Sequence, residues 1–261
     1  MFGKALPLRC LSVALATACV APAVRAGEFV ASVYGGKAWT ANTDVTLHQP
    51  GGTDLKFEQV RWDDQSFEVP YYWGARLTWW SNGRWANGKW SNREWSEGDA
   101  DWGAALDFTH AKATANLDQN VRVTGTRGGT PVNADERLGN TFTTLTFTHG
   151  LNTLIATAMY RWPSWRTDAF GEIRPYVGAG YGVAWPHVEI GVGGQSVFEY
   201  RFTGAAYQGL AGLDFKVFER VSVFVEYKVS QADIRADIPG GSTVRLKPWT
   251  HHALLGAAYR F

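Results

Sequence analysis

The 261-residue sequence predicts an all-β fold: an eight-stranded antiparallel transmembrane up-and-down β-barrel after an N-terminal signal peptide. Three observations predict it. Eight segments alternate apolar with small or polar residues, the last one ends on an aromatic, Phe261, and the first 26 residues read as a secretory leader. In the last segment Leu255, Ala257, Tyr259 and Phe261 share one face, and Leu254, Gly256, Ala258 and Arg260 share the other. A strand repeats every two residues, so one face is apolar and closes in an aromatic girdle while the other is small and hides an arginine.

The leader comes first. Lys4 and Arg9 precede an apolar stretch from Leu11 to Ala23, and Val24-Arg25-Ala26 supplies the small residues of a cleavage site. That divides the chain into a signal peptide, 1–26, and a barrel, 27–261. The apolar stretch is too short to span a bilayer. Both cysteines, Cys10 and Cys19, fall inside the leader, so the mature chain has no thiol chemistry. A lipid attached at Cys19 is the competing reading, but Ala16-Thr17-Ala18 lacks the large aliphatic residue such a site wants three positions earlier. Removing Lys4, Arg9 and Arg25 leaves 22 basic against 24 acidic residues, and no basic patch argues for nucleic acid. The 29 Gly, 13 Trp, 10 Tyr and 14 Phe suit a closed sheet ringed by interfacial aromatics.

Eight strands are expected: 29–39, 71–80, 102–112, 153–162, 174–187, 207–218, 221–229 and 249–261. In the second, Trp73, Ala75, Leu77 and Trp79 face outward; in the seventh, Val221, Val223, Val225, Tyr227 and Val229 do. Each is about the length of a tilted crossing. The turn Glu219-Arg220 and the stretch 163–171 are short, whereas 41–70, 113–152, 191–206 and 230–248 are long loops. Short periplasmic turns and long extracellular loops orient the barrel. Between strands two and three, Trp80, Trp85, Trp90 and Trp95 recur every five residues. This repeat reads as a tolerated duplication or as a rest on the inner leaflet.

By parity Arg76, Asp107, Arg161, Asp214, Lys216, Glu226, Lys228 and Arg260 project inward. Eight strands enclose only enough room for side chains, so these charges must pair and plug the lumen. Glu226 is expected to meet Lys228, Arg76, Arg161 or Arg260.

The six histidines, His48, His110, His149, His187, His251 and His252, all fall at the extracellular end, with Asp63, Asp64, Glu68 and Glu189 at the same level. Imidazole and carboxylate are ligands for divalent metals and the usual general bases. The candidate set is His110, His149 and His252 as metal ligands, with Glu68 beside them in the catalytic group. His252 and Glu68 point inward by parity, and His110 and His187 outward. Solvated loop residues with no common centre are the competing reading. The glycines at 128–129 and 191–194 are loop glycines without the strand-to-helix context of a phosphate loop.

Several stretches carry a family resemblance: Ser32-Val33-Tyr34-Gly35-Gly36, Trp62 to Glu68 followed by Pro70-Tyr71-Tyr72, Leu106 to Lys112, Thr148 to Asn152, and Tyr160-Arg161-Trp162. Together they resemble the outer-membrane lipid A oxidase family of rhizobia. The resemblance implies an enzyme of the bacterial outer membrane that acts on outer-leaflet lipid A within lipopolysaccharide. Such an oxidoreductase turns the proximal glucosamine into 2-aminogluconate with a divalent metal, and molecular oxygen is its co-substrate. The chain is expected to be a monomer. The tryptophan repeat departs from the family pattern. A non-catalytic barrel serving envelope structure or surface interaction is the alternative. If Phe261 closes the girdle and marks the chain for insertion, deleting it is expected to lower the yield of folded barrel severalfold, read as the heat-modifiable band in detergent gels.

Overall fold

The computed structural model describes residues 28–81, 85–86, 89–90 and 101–261. The expected leader lies outside the described residues, and so does most of the tryptophan repeat. Of that repeat, Trp85–Ala86 pairs with Lys89–Trp90.

Eight strands form the barrel: β1 (Glu28–Thr40), β2 (Trp73–Trp80), β3 (Asp101–Ala111), β4 (Leu151–Arg161), β5 (Gly171–Ala184), β6 (Gly204–Lys216), β7 (Val221–Ala232) and β8 (Trp249–Arg260). Each pairs antiparallel with its chain neighbour, and β1 closes on β8 from Val30↔Arg260 to Thr40↔Thr250. The predicted strands match these within a few residues. Among the described residues no helix is long and apolar enough to cross a membrane. The crossing is made by strands, whose backbone groups are satisfied only because the sheet is closed.

The outer wall is apolar. Val33, Leu77, Leu106, Leu154, Val177, Val225 and Leu255 are exposed, and Phe29, Trp79, Trp102 and Tyr259 are exposed towards the short-turn end. Trp39, Trp73, Trp185 and Trp249 ring the opposite end. An aliphatic band between two aromatic girdles is the surface a bilayer requires.

The interior is filled by pairing large rings with glycines. Tyr34 lies against Gly74, Tyr176 against Gly212 and Phe224 against Gly256, each so close that a Cβ on the glycine would strike the ring. The tyrosines carry polar atoms into a network around Arg76. Arg76 donates to Asp107 (2.9 Å) and to both carboxylate oxygens of Glu226 (2.6 and 2.7 Å). Tyr34 and Tyr176 donate to Asp107 and Glu226 at 2.5 and 2.8 Å. Lys228, with no exposed surface, reaches Thr109, Tyr34 and Asp107. A second cluster nearer the short-turn end joins Arg161 to Asp101 and Glu28, and Arg260 to Glu28 and Asp214. The Arg161 guanidinium also lies 4.3 Å from the Trp80 ring. The inward charges therefore pair, as a narrow lumen demands.

The structure departs from expectation above the membrane, where the long loops are not irregular. Each carries a hairpin: Thr43–Gln49 with Thr53–Val60, Asn120–Arg127 with Thr130–Arg137, His187–Val192 with Gln195–Tyr200, and Ile234–Ile238 with Ser242–Leu246. The first, second and fourth join into a six-stranded sheet. The third joins Phe142–Thr146, Thr114–Ala115 and Trp62–Asp63 in a five-stranded sheet. Their apolar faces meet, with Phe57 edge-on to Phe142 at 5.1 Å and Leu47, Val123, Leu145 and Ile190 fully buried. The barrel thus carries a two-sheet head.

Glu226→Ala leaves Arg76 and the Tyr176 hydroxyl without their shared partner, and removing one member of a buried pair costs about 3–5 kcal/mol. The urea midpoint in detergent is expected to fall accordingly. An unchanged midpoint would show that Glu226 faces water.

Candidate functional site

The site lies where β3, β4 and β5 leave the membrane, on the outer side of the wall. The strand beginning at His187 puts His187 and Glu189 on one side because residues two apart share a face. The chain entering β4 brings Thr148 and His149 against them. Backbone bonds lock this junction: His187 N–H donates to the Gly150 carbonyl and Trp185 N–H to the Asn152 carbonyl, both at 2.8 Å. Gly150 has φ +127°, and a Cβ there would collide with the Asn152 amide and the His110 ring. Only glycine fits this turn.

One oxygen of Glu189 is the focus. Thr148 Oγ1 donates to Oε1 at 2.8 Å, while His149 Nδ1 and His187 Nδ1 lie 2.5 and 3.1 Å from it. The ligand atoms of His149, His187 and Glu189 all fall within 4.8 Å of one another. Burial pushes the Glu189 carboxyl up, but the hydrogen bonds from His149 and Thr148 outweigh it and hold the group below its ordinary value of 4.5. His187 and Glu189 are buried, and His149 is exposed. Phe198 and Tyr200 meet the His187 ring edge-on at 4.4 and 4.6 Å, and Tyr200 donates its hydroxyl proton to the His149 carbonyl. Two imidazoles and one carboxylate are a donor set that suits a first-row divalent metal with positions left open. The residues fit such an ion.

The candidates read from the sequence divide. His149 is in this group. His110 lies beside it on the same outer wall, its Nδ1 2.8 Å from Asn152 Oδ1, stacked on Trp73 and packed against Gly150. Its Nε2 is buried with no partner among the described residues. His252 is inside the lumen, 1% exposed, with Tyr72 Oη 3.0 Å from Nδ1 and Ser230 Oγ 2.9 Å from Nε2. Its inward parity is as expected, and the barrel wall separates it from His149. Glu68 is exposed in the turn before β2, not inward, because residues 64–72 leave strand geometry. His187 and Glu189 were seen in the sequence but not joined to the candidates. Their common strand, set by the Gly193-Gly194 turn, is the signal that joins them.

No protein-family model matches the chain, and no protein of curated function matches its sequence. Solved structures do resemble it. Neisserial surface protein A is 12% identical with a TM-score of 0.35, covering 89% of this chain and 97% of that one. The outer membrane protein OprG from Pseudomonas aeruginosa is 13% identical at 0.40, with 91% and 97% covered. Ail, the attachment invasion locus protein of Yersinia pestis, is 16% identical at 0.29, with 90% and 99% covered. Closure of eight strands and the apolar outer band decide the location. The protein is a β-barrel of the bacterial outer membrane.

Two predictions follow from the Glu189 group. Titration of the barrel in detergent with a divalent metal is expected to give one site. Thr148→Ala is expected to weaken that site about 10- to 100-fold, the usual cost of losing a partner that orients a ligand, and His187→Ala to abolish it. In pH, a carboxylate with a lowered value contributes stability above its ordinary 4.5, and the contribution is lost as pH falls through the lowered value. The parent head is therefore expected to lose unfolding midpoint on acidification below 4.5, and Glu189→Gln to lack that component.

Proposed function

We propose that the protein oxidises the proximal glucosamine of outer-leaflet lipid A to 2-aminogluconate, using molecular oxygen and a divalent metal bound by His149, His187 and Glu189. One observation carries the reading: a two-histidine, one-carboxylate set gathers where β3, β4 and β5 end, with His149 exposed, at the level where outer-leaflet sugars lie. Two histidines and a carboxylate with free positions are the donor set of oxygen-using iron sites. A bound metal would supply the binding and activation of oxygen.

The chain's own residues do the rest. The C1 hydroxyl of the sugar loses its proton and the C1–H bond breaks, giving a lactone. The two electrons and two protons go to oxygen as hydrogen peroxide, and water then opens the lactone to the acid. The exposed Glu68 is the group offered for the proton, and His110, buried against Gly150 and paired with Asn152, holds the turn that carries His149. His252, held between Tyr72 and Ser230, acts from the lumen side by fixing Tyr72 at the foot of the Glu68 turn.

Purified barrel, loaded with metal and given lipid A and oxygen, is expected to add one oxygen atom to the lipid, read by mass spectrometry. His187→Ala and Glu189→Ala are expected to stop conversion, His110→Ala and Glu68→Ala to slow it, and His252→Ala to act through folding. Unchanged conversion by the His187 and Glu189 variants would overturn the metal set.

The alternative, a non-catalytic surface-interaction barrel, is favoured by the other side of the head. The exposed face of the six-stranded sheet carries a row of Lys56, Thr46, Arg245 and Arg235 in register. Lys56 is paired with Asp44 and Arg235 with Asp237, but Arg245 stands directly opposite Arg235, and a surface role would explain a like-charge pair that weakens a sheet. Absence of lipid A oxidation by metal-loaded protein would favour this reading.

A further inference from the structure

Among the described residues, every exposed large hydrophobic side chain of the head falls in one of two groups. Phe67, Val69 and Tyr71 precede β2; Phe198, Tyr200 and Phe202 follow β5 and the girdle residue Trp185. Most are more than half exposed: Phe67 71%, Val69 76%, Phe198 66% and Phe202 68%. Water-facing head surface has no use for such side chains, and contiguous exposed apolar groups mark an interface. Both groups continue the lipid-facing wall. Tyr71 leads into Trp73 of the girdle, and Phe202 stacks on Trp185 at 5.4 Å.

Between β2 and β5 in the wall stand only β3 and β4. Each apolar group is tied to one of them. Lys112, just past β3, donates to the carbonyls of Glu68 and Val69, and the Tyr200 hydroxyl donates to the carbonyl of His149, just before β4. On the outer face of the gap, Phe108 pairs with Leu154, and one outward step higher His110 pairs with Asn152. The wall therefore changes within one step from exposed aliphatic side chains to a buried, mutually bonded polar pair, with the exposed His149 above it and apolar ridges on either side.

We infer that both ridges are inserted in the outer leaflet and that the gap over β3 and β4 receives the sugar headgroup of an acylated glycolipid, entering sideways from the membrane. The acyl chains run along Leu106, Phe108 and Leu154, and the headgroup meets His149, the exposed member of the Glu189 group, above the buried His110–Asn152 pair. This takes its substrate class from the reading proposed above and does not depend on oxidation.

Residues 28–261 contain no cysteine, so a single introduced one carries a unique nitroxide. Phe67→Cys and Phe198→Cys are labelled in vesicles of phosphatidylethanolamine and lipopolysaccharide, beside Leu106→Cys in the belt and Asp135→Cys on the head. The two ridge labels are expected to be relaxed by oxygen as Leu106→Cys is, and shielded from a water-soluble nickel chelate. Relaxation like that of Asp135→Cys overturns the insertion. A label at Tyr71→Cys, on the rim of the gap, is expected to be immobilised by lipopolysaccharide but not by the soluble, de-acylated glucosamine disaccharide. Equal effects from both, or none from lipopolysaccharide, overturn the lateral entry. Each labelled variant is first checked for the heat-modifiable folded band. Protein that passes both measurements yet oxidises nothing keeps this cleft and loses the oxidation.

Discussion

The constraint on which the rest depends is charge matching inside a barrel too narrow for water to do the job. Arg76 is held between Glu226 and Asp107, and Lys228 reaches the same aspartate. An isolated charge there would cost several kcal/mol, so every interior cation needs a carboxylate within reach. The interior meets that demand by alternating rings and glycines: the Tyr34 ring lies against Gly74 and its hydroxyl is delivered to Asp107. The result is an interior filled by paired side chains. Any chemistry the protein performs on a partner is therefore pushed out of the lumen, to the mouth or to the outer wall.

The outer wall becomes useful because the head holds it in shape. Four hairpins extend beyond the barrel and bury their apolar faces against each other, and this converts what would be mobile loops into a rigid cap. The third hairpin presents His187 and Glu189 on one face, and the chain returning to β4 presents His149. The Gly150 turn lets the two segments touch. Three donors converge on one Glu189 oxygen, and that carboxylate is the hinge of the site: it orients both imidazoles and stays ionised despite its burial. The same hairpin carries Phe198 and Tyr200, so the element that builds the polar site also carries the apolar contacts around it.

Much of this was legible before any coordinates. The period of two marks each barrel strand, and strand parity identifies the interior charges; that Glu226 meets Arg76, out of the four cations within parity, is decided by the closed barrel. The extracellular level of all six histidines also follows from strand direction. The head was legible in part and passed over. Gly51-Gly52, Gly128-Gly129, Gly193-Gly194 and Gly240-Gly241 all have positive φ and turn the four hairpins, with alternating apolar residues on both sides of each pair. Reading Gly128-Gly129 and Gly193-Gly194 as loop glycines hides a hairpin signal that all four pairs carry.

The sequence by itself determined what depends on neighbours along one strand: which residues face lipid, which face the lumen, and which end of the barrel each histidine occupies. Tertiary structure alone decided which of those histidines meet. Parity already sets His110 outward and His252 inward; the fold adds that His110 packs against Gly150, next to His149, while His252 is closed in by Tyr72 and Ser230. His149, His187 and Glu189 come together across about forty residues because the chain entering β4 hydrogen-bonds to the start of the third hairpin and one glycine permits a close turn. Parity is a property of a single strand. A donor set is a property of how several strands close on one another, and that is decided by contacts between segments distant in the sequence.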